Sequence, residues 1–260
     1  MKRKVDLDGK TWMKYSISIW SDIKKSLYER TLKHPAMFPI ELASRLIQIF
    51  SSEGDLILDP FAGSGSTLIA AKRLKRYSIG IELSKDFVEL YYSREDRNQL
   101  TDDISFEPTM YNDNALNLRK IIEDESVQLT VTSPPYWNIL NRKRTADYKE
   151  TVNYSDEQED LGNIESYDEF IQRLKNIFQQ VFLVTKKGGF CCINLMDIRK
   201  KDKLYTFHID AISFMKDIGF ELDDIIIWDR RHEYNNFRPL GYPYVFRINR
   251  AHEYILIFKK

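Results

Sequence analysis

The sequence predicts a doubly wound α/β fold built on a mainly parallel, seven-stranded sheet. Two observations carry this prediction. Short apolar runs bounded by turn residues recur along the chain, and their hydrophobicity is continuous rather than alternating, as it is when both faces of a strand are covered. Amphipathic stretches at helical spacing lie between most of these runs, the alternation that a parallel sheet with flanking helices requires.

Residues 55–59 (DLILD) form the first expected strand and residues 77–83 (YSIGIEL) the second. Residues 105–111 make a weaker third, 127–132 (VQLTVT) the fourth and 189–196 (GFCCINLM) the fifth. Residues 222–228 and 252–258 (HEYILIF) complete the set. Helix starts are marked between them. Pro39 stands where a helix can begin, followed by Leu42, Leu46, Ile47 and Phe50 at helical spacing. A helix over 68–75 follows the first strand. Ser84 is placed to cap a helix over 85–94, and Ser166 with Glu169 forms a capping box ahead of 170–183. Two polar segments show no clear period: 141–163 after the fourth strand and 229–250 between the last two. Both exceed ordinary connection length, which marks them as candidate functional loops.

At 260 residues and 43% hydrophobic content, the chain is expected to form a single domain, 1–260, with one substantial core. Basic and acidic residues number 39 each, so the net charge is zero. A dedicated nucleic-acid coat would be basic overall. Any nucleic-acid contact must therefore come from local clusters such as Arg142, Lys143 and Arg144, or Arg199, Lys200, Lys201 and Lys203, or Arg230 and Arg231. Residues 1–10 are charged and lack the apolar core of a signal peptide, and no run approaches the length of a membrane span. Cys191 and Cys192 are neighbours on one strand and point to opposite faces, which suits neither a disulfide nor a metal site. His34, His208, His232 and His252 are dispersed without zinc spacing, so no metal is expected. A cytoplasmic setting without membrane contact follows as the expectation.

Two motifs carry the chemistry. The first strand runs into DPFAGSGST (59–67), where Gly63 and Gly65 let the backbone turn tightly and let a ligand approach closely. Glu82 ends the second strand, where a carboxylate can accept from both hydroxyls of a ribose. Such a turn by itself serves adenosylmethionine and NAD alike. The third glycine of a pyrophosphate fingerprint is absent, and Asp59 suits a cationic ligand better than a diphosphate. The second motif is TSPPYW (132–137) at the end of the fourth strand, an edge that faces the ligand crevice in open α/β sheets. Pro134 and Pro135 remove two backbone donors, so the turn presents carbonyls. Ser133 and the Pro134 carbonyl can accept the two hydrogens of a planar amine, and Tyr136 adds a stacking face.

Together these motifs resemble the amino-methyltransferases of DNA, the N4-cytosine and N6-adenine family of restriction-modification systems. The resemblance covers most of the chain. KHPAMFP (33–39), with His34, Pro35, Phe38 and Pro39, resembles the block that precedes the family's first strand. DPFAGSGST, with Asp59, Phe61, Gly63, Ser64, Gly65 and Ser66, resembles the adenosylmethionine loop. GIEL, with Glu82 and Leu83, resembles the second-strand acid, and NDNA around Asp113 the region that meets the cofactor's adenine. TSPPYW, with Ser133, Pro134, Pro135 and Tyr136, is similar to the catalytic motif; NLMD ending at Asp197 and the closing HEYILIFKK follow the same pattern.

The resemblance implies a Rossmann-like adenosylmethionine-dependent methyltransferase fold whose last two strands form an antiparallel pair. It implies S-adenosylmethionine as cofactor and site-specific methylation of the exocyclic amine of a base flipped out of double-stranded DNA. Ser133 in place of an aspartate favours cytosine N4 over adenine N6. Carbon-5 methylation needs a cysteine at the catalytic turn, and none stands there. No long separate recognition domain is evident, so 141–163 and 229–250 are the expected DNA-reading loops. Trp137, Arg142, Arg144, Arg230, Arg231 and Arg238 are their candidate contacts, with Lys200 and Lys201 on phosphate. A cognate restriction endonuclease and a homodimer stand as further partner expectations. An RNA amino-methyltransferase, a non-catalytic nucleic-acid-binding subunit and, more distantly, a dehydrogenase are the other readings.

Overall fold

The computed structural model describes residues 5, 7–32, 37–94, 96, 104–138, 160–233 and 240–260. Its strands are β1 (Ile19–Trp20), β2 (Leu56–Asp59), β3 (Tyr77–Glu82), β4 (Thr109–Asn112), β5 (Val127–Thr132), β6 (Thr185–Leu195), β7 (Ile198–Lys200), β8 (Lys203–Tyr205), β9 (Glu221–Asp229) and β10 (His252–Lys259). Eight of them form one sheet in the order β1-β9-β10-β6-β5-β2-β3-β4, and β7 with β8 makes a separate hairpin. Every pairing in the large sheet is parallel except those of β10, which runs antiparallel to both β9 and β6. The antiparallel last pair expected from the sequence is therefore present.

Among the described residues the sheet has eight strands rather than seven. The additional one, β1, pairs parallel to β9 through Ile19 and Trp20. Two residues are too few to show a period, and the anchor is Trp20, which is buried. The third strand is shorter than expected, because residues 104–106 form a 3-10 turn before β4. The β7–β8 hairpin occupies the basic cluster at 199–203, with Lys201 in the left-handed region at its turn.

The helices are α1 (Gly9–Tyr15), α2 (Leu27–Thr31), α3 (Ile40–Phe50), α4 (Ser66–Arg73), α5 (Lys85–Ser93), α6 (Tyr167–Val184) and α7 (Phe207–Ile218). Pro39 is the N-cap of α3, and Ser166 accepts from the Glu169 N–H at the start of α6. Ser84 stands at the N-cap of α5, but its hydroxyl makes no cap bond. Helix α4 starts two residues earlier than the sequence suggested, directly after Gly65.

Successive residues of the inner strands feed two separate cores. Leu58 and Cys191 pack with α6 and α7, against Phe170, Phe178 and Phe207. Ile57 and Cys192 pack with α3 and α4, against Leu46 and Leu68. That is why these runs read as continuous apolar sequence. The two cysteines are free and lie on opposite faces. No helix among the described residues is long and apolar enough to cross a membrane.

From β2 the chain builds outward through β3 to β4, then returns to lay β5 on the other side of β2. Winding thus reverses between β2 and β5. Their carboxyl ends, Asp59 and Thr132, flank the switch point where open α/β sheets bind ligands.

Candidate active site

A crevice, partly open to solvent, lies at this edge. It brings together Phe38, Phe61, Gly63, Ser64, Ser66, Glu82, Leu83 and Asp113 with Ser133, Pro134, Pro135 and Tyr136. Both expected motifs therefore open into one cavity.

The glycine turn is built by hydrogen bonds across the strand ends. The Gly63 N–H donates to Glu82 Oε2 at 2.8 Å, and the Ser84 N–H donates to Oε1 at 2.8 Å. One carboxylate thus clamps the turn after β2 to the turn after β3. Burial pushes the Glu82 carboxyl up to about 7, against the pull of these two N–H groups. Gly65 adopts φ 79° at the N-cap of α4. It does not line the cavity; a Cβ there would run into the Tyr91 ring, so packing explains this glycine. Arg94, fully buried, donates to the Ser64 carbonyl at 2.9 Å and is held by Asp96 at 2.7 Å. Nothing in the sequence singled out this prop, because an arginine at a helix end reads as solvated.

Asp59 does not line the crevice, contrary to expectation. It is buried, with Oδ1 accepting from the Thr132 hydroxyl at 2.7 Å and the Phe61 N–H at 3.1 Å. Its Oδ2 accepts from the Thr67 hydroxyl at 2.7 Å. The side chain ties β2, β5 and α4 together, and burial pushes its carboxyl up to about 6. Pro39 likewise serves α3 and lies off the cavity. His34 and Pro35 lie outside the described residues.

The remaining lining fits S-adenosylmethionine. The Ser66 hydroxyl is buried and finds no partner among the described residues. It stands in the first turn of α4, where N–H groups lack intrahelical acceptors, so this corner suits a carboxylate. Glu82, Asp113 and Asp160 supply acceptors for hydroxyl and ammonium groups, and Phe38, Phe61, Ile81, Leu83 and Phe87 supply flat apolar walls. The sequence reading missed Asp160, Met37, Phe87 and Leu161, which also line the cavity. For Asp160 a signal existed: D-L-G is an Asx turn, with Oδ1 accepting from the Gly162 N–H at 2.7 Å.

At the other end of the crevice, Ser133 Oγ lies 3.3 Å from the Tyr136 hydroxyl, which donates to Glu253 Oε2 at 3.1 Å. Burial, then the nearby Glu253 charge, pushes the Tyr136 hydroxyl well above its usual value, so it stays protonated. Phe207 packs edge-on against the Tyr136 ring at 6.4 Å.

Several expected DNA contacts are corrected. Trp137 is 3% exposed, packed edge-on between Tyr167 and Tyr205, with its indole N–H donating to the Ile164 carbonyl at 2.8 Å. It presents no stacking face to a base in this arrangement; it anchors the turn. Arg230 is drawn into ion pairs with Glu233 and Glu253 and lies over Trp228, which leaves it unsuited to reading a base. Lys200 sits over the Trp137 ring at 3.6 Å and bonds Asn138 at 3.1 Å, rather than projecting to a phosphate. Arg231 pairs with Asp229 at 2.6 Å yet is 77% exposed, so it remains at the surface. Arg142, Arg144 and Arg238 lie outside the described residues, as does most of 141–163.

Known proteins place this architecture. The chain is similar to the Type II methyltransferase M.MthZI of Methanothermobacter thermautotrophicus, 34% identical over 150 residues, 54% of this chain and 41% of that protein. It is equally similar to the Type II methyltransferase M.MjaI of Methanocaldococcus jannaschii, 34% identical over 155 residues, 54% of this chain and 51% of that protein. The chain spans about half the length, or less, of these curated relatives. Among solved structures, a SAM-dependent methyltransferase from Methanosarcina mazei superposes with a TM-score of 0.53 at 13% identity, over 87% of this chain and 99% of that one. That likeness shows the fold. The family model described as DNA methylase matches residues 2–93 and 127–260, most of the chain and both motif-bearing halves, and so this chain belongs to the DNA methylase family.

Proposed function

We propose that this chain transfers a methyl group from S-adenosylmethionine to the exocyclic amine of a base flipped out of double-stranded DNA, cytosine N4 in preference to adenine N6. One observation carries the reading: the S-P-P-Y turn and the Glu82-clamped glycine loop open into a single crevice. S-adenosylmethionine is the cofactor, and when bound it supplies a sulfonium methyl group as electrophile. Glu82 would accept from its ribose hydroxyls, the Ser66 corner would hold its carboxylate, and Phe61 and Leu83 would flank its adenine.

The target amine is a weak nucleophile, since its lone pair is conjugated into the ring. Ser133 Oγ and the Pro134 carbonyl accept its two hydrogens, draw the nitrogen toward sp³ character and aim its lone pair. Positioning supplies most of the rate, and no covalent enzyme intermediate is required. Flipping the base costs a few kcal/mol. Contact with the Tyr136 ring offsets about 1–3 kcal/mol of that. Serine rather than aspartate at 133 supports cytosine as target. The Type II methyltransferase names of the relatives support site-specific methylation, and a cognate endonuclease is the proposed partner. With Arg230 and Trp137 engaged internally, reading of the sequence falls to Arg231 and the rest of 229–250, and to 141–163.

Mass analysis of nucleosides after incubation of DNA with labelled S-adenosylmethionine tests the reading. N4-methylcytosine is the expected product. N6-methyladenine would overturn the choice of base, and label confined to RNA would move the activity to another substrate class.

Cofactor affinity should depend on Glu82 and on pH. Hydroxyl donors favour the ionised carboxylate, so binding is expected to tighten as pH rises through about 7. Glu82→Gln should flatten that profile. Glu82→Ala should weaken binding by about 1–3 kcal/mol. Calorimetry at pH 6 and pH 8 reads both effects, and equal affinities at the two pH values would remove the ribose role.

A further inference from the structure

Glu253 is the second residue of β10, is 4% exposed and lies 117 residues along the chain from Tyr136, whose hydroxyl donates to it. The Asn194 amide on β6 and the Arg230 guanidinium after β9 donate to the same carboxylate. A carboxylate accepts hydrogen bonds and gives none. That fact decides the direction of every bond leading away from it. Tyr136 has one hydroxyl hydrogen, and Glu253 takes it. The Tyr136 oxygen is then left to accept, and the group beside it is Ser133 Oγ at 3.3 Å. Ser133 must therefore turn its own hydrogen toward Tyr136, which leaves its lone pairs for the crevice it lines. In the opposite polarity the serine hydrogen would point at the amine hydrogens and repel them.

We propose that Glu253 is a positioning residue that, through Tyr136, holds Ser133 as a hydrogen-bond acceptor for the target amine. The inference rests on the function proposed above and deepens it. Glutamine at 253 reverses the chain of bonds. Arg230 pairs with Oε1, while Tyr136 and Asn194 meet Oε2. The guanidinium holds the amide oxygen, so the amide NH₂ takes the Oε2 place and donates to Tyr136, while the Asn194 amide turns its oxygen, unpartnered among the described residues, toward the same NH₂. Tyr136 then donates to Ser133, and the serine hydrogen swings into the crevice.

The test is a double-mutant cycle of Glu253→Gln and Tyr136→Phe, with DNA methylation as the readout. Each single variant is expected to lower kcat by about 10- to 100-fold, the range over which members of one hydrogen-bond network couple. KM for DNA, affinity for S-adenosylmethionine and melting temperature should stay near wild type. The double variant should be no slower than Tyr136→Phe alone, because without the hydroxyl Glu253 has no route to Ser133. Losses that multiply would assign Glu253 to packing and overturn the inference, as would a Glu253→Gln enzyme with wild-type kcat. Tyr136→Phe keeps the ring, so it carries the test if Glu253→Gln fails to fold: wild-type kcat in that variant would equally overturn it. A wild-type protein that methylates no DNA would sink the functional reading and this inference together, whereas an active wild type with multiplying losses would sink the inference alone.

Discussion

Ser133→Ala should lower kcat by about 10²–10³-fold, the loss typical of removing one preorganised group from a reacting centre. Ser133 is half-buried just after β5 and lines the crevice, and in the proposed function its oxygen is the side-chain acceptor for the amine. Alanine leaves the Pro134 carbonyl alone to orient two hydrogens, so the lone pair is no longer aimed. Cofactor affinity should not change, since Glu82 and the glycine loop lie on other strands. Tyr136→Ala should be at least as damaging and should also raise KM for DNA, because it removes the ring that holds the base. Single-turnover methylation with calorimetry of cofactor binding separates these effects. A Ser133→Ala enzyme working at the wild-type rate would end the assignment.

Asp59→Ala should destabilise the fold by about 3–5 kcal/mol, with loss of cofactor binding as a consequence. The change leaves the Thr67 and Thr132 hydroxyls and the Phe61 N–H without their acceptor, and each buried group so stranded costs about 1–3 kcal/mol. Asp59→Asn should be milder, because an amide oxygen in the Oδ1 place can still accept from both the Thr132 hydroxyl and the Phe61 N–H. The pH dependence has a definite sign. Burial raises the folded carboxyl from 3.8 to about 6, so the folded state binds this proton more tightly than the unfolded chain does. Its contribution is fully present below about pH 4 and is lost as pH rises through 6. The melting temperature of wild type relative to Asp59→Asn should accordingly fall between pH 4 and pH 6. A constant difference across that window would contradict the assignment.

Much of this architecture is legible in the sequence, for identifiable reasons. Strands β2, β3 and β5 are covered on both faces, so their apolar runs stand out, and the ligand motifs lie at their ends. Glycine and proline spell out the turns because few other residues fit them. What escaped is of two kinds. Strand β1 and the Asp160 turn are too short to show a period. The tie from Tyr136 to Glu253, and the props that Arg94 and Asp59 provide, join residues far apart in the chain or hide inside ordinary-looking charges. Asp59 carries the lesson most clearly: its place beside the glycine turn suggested a ligand contact, yet three donors of the protein itself had already claimed its oxygens. Trp137 and Arg230 misled in the same way, since an aromatic ring or an arginine near a site is as useful for tethering a loop as for touching DNA.

The reversal of β10 also decides where the protein can be handled. Because this strand runs against its neighbours, its first residues reach the crevice, while its far end pairs with the opening of β6: the Lys260 N–H donates to the Gly189 carbonyl, and the Gly188 N–H donates to the Lys260 carbonyl. Seven steps of about 3.3 Å carry the backbone roughly 23 Å from the catalytic rim. A fluorophore or surface tether fixed at Lys260 would therefore sit at the opposite edge of the sheet, leaving the crevice open for immobilised binding measurements.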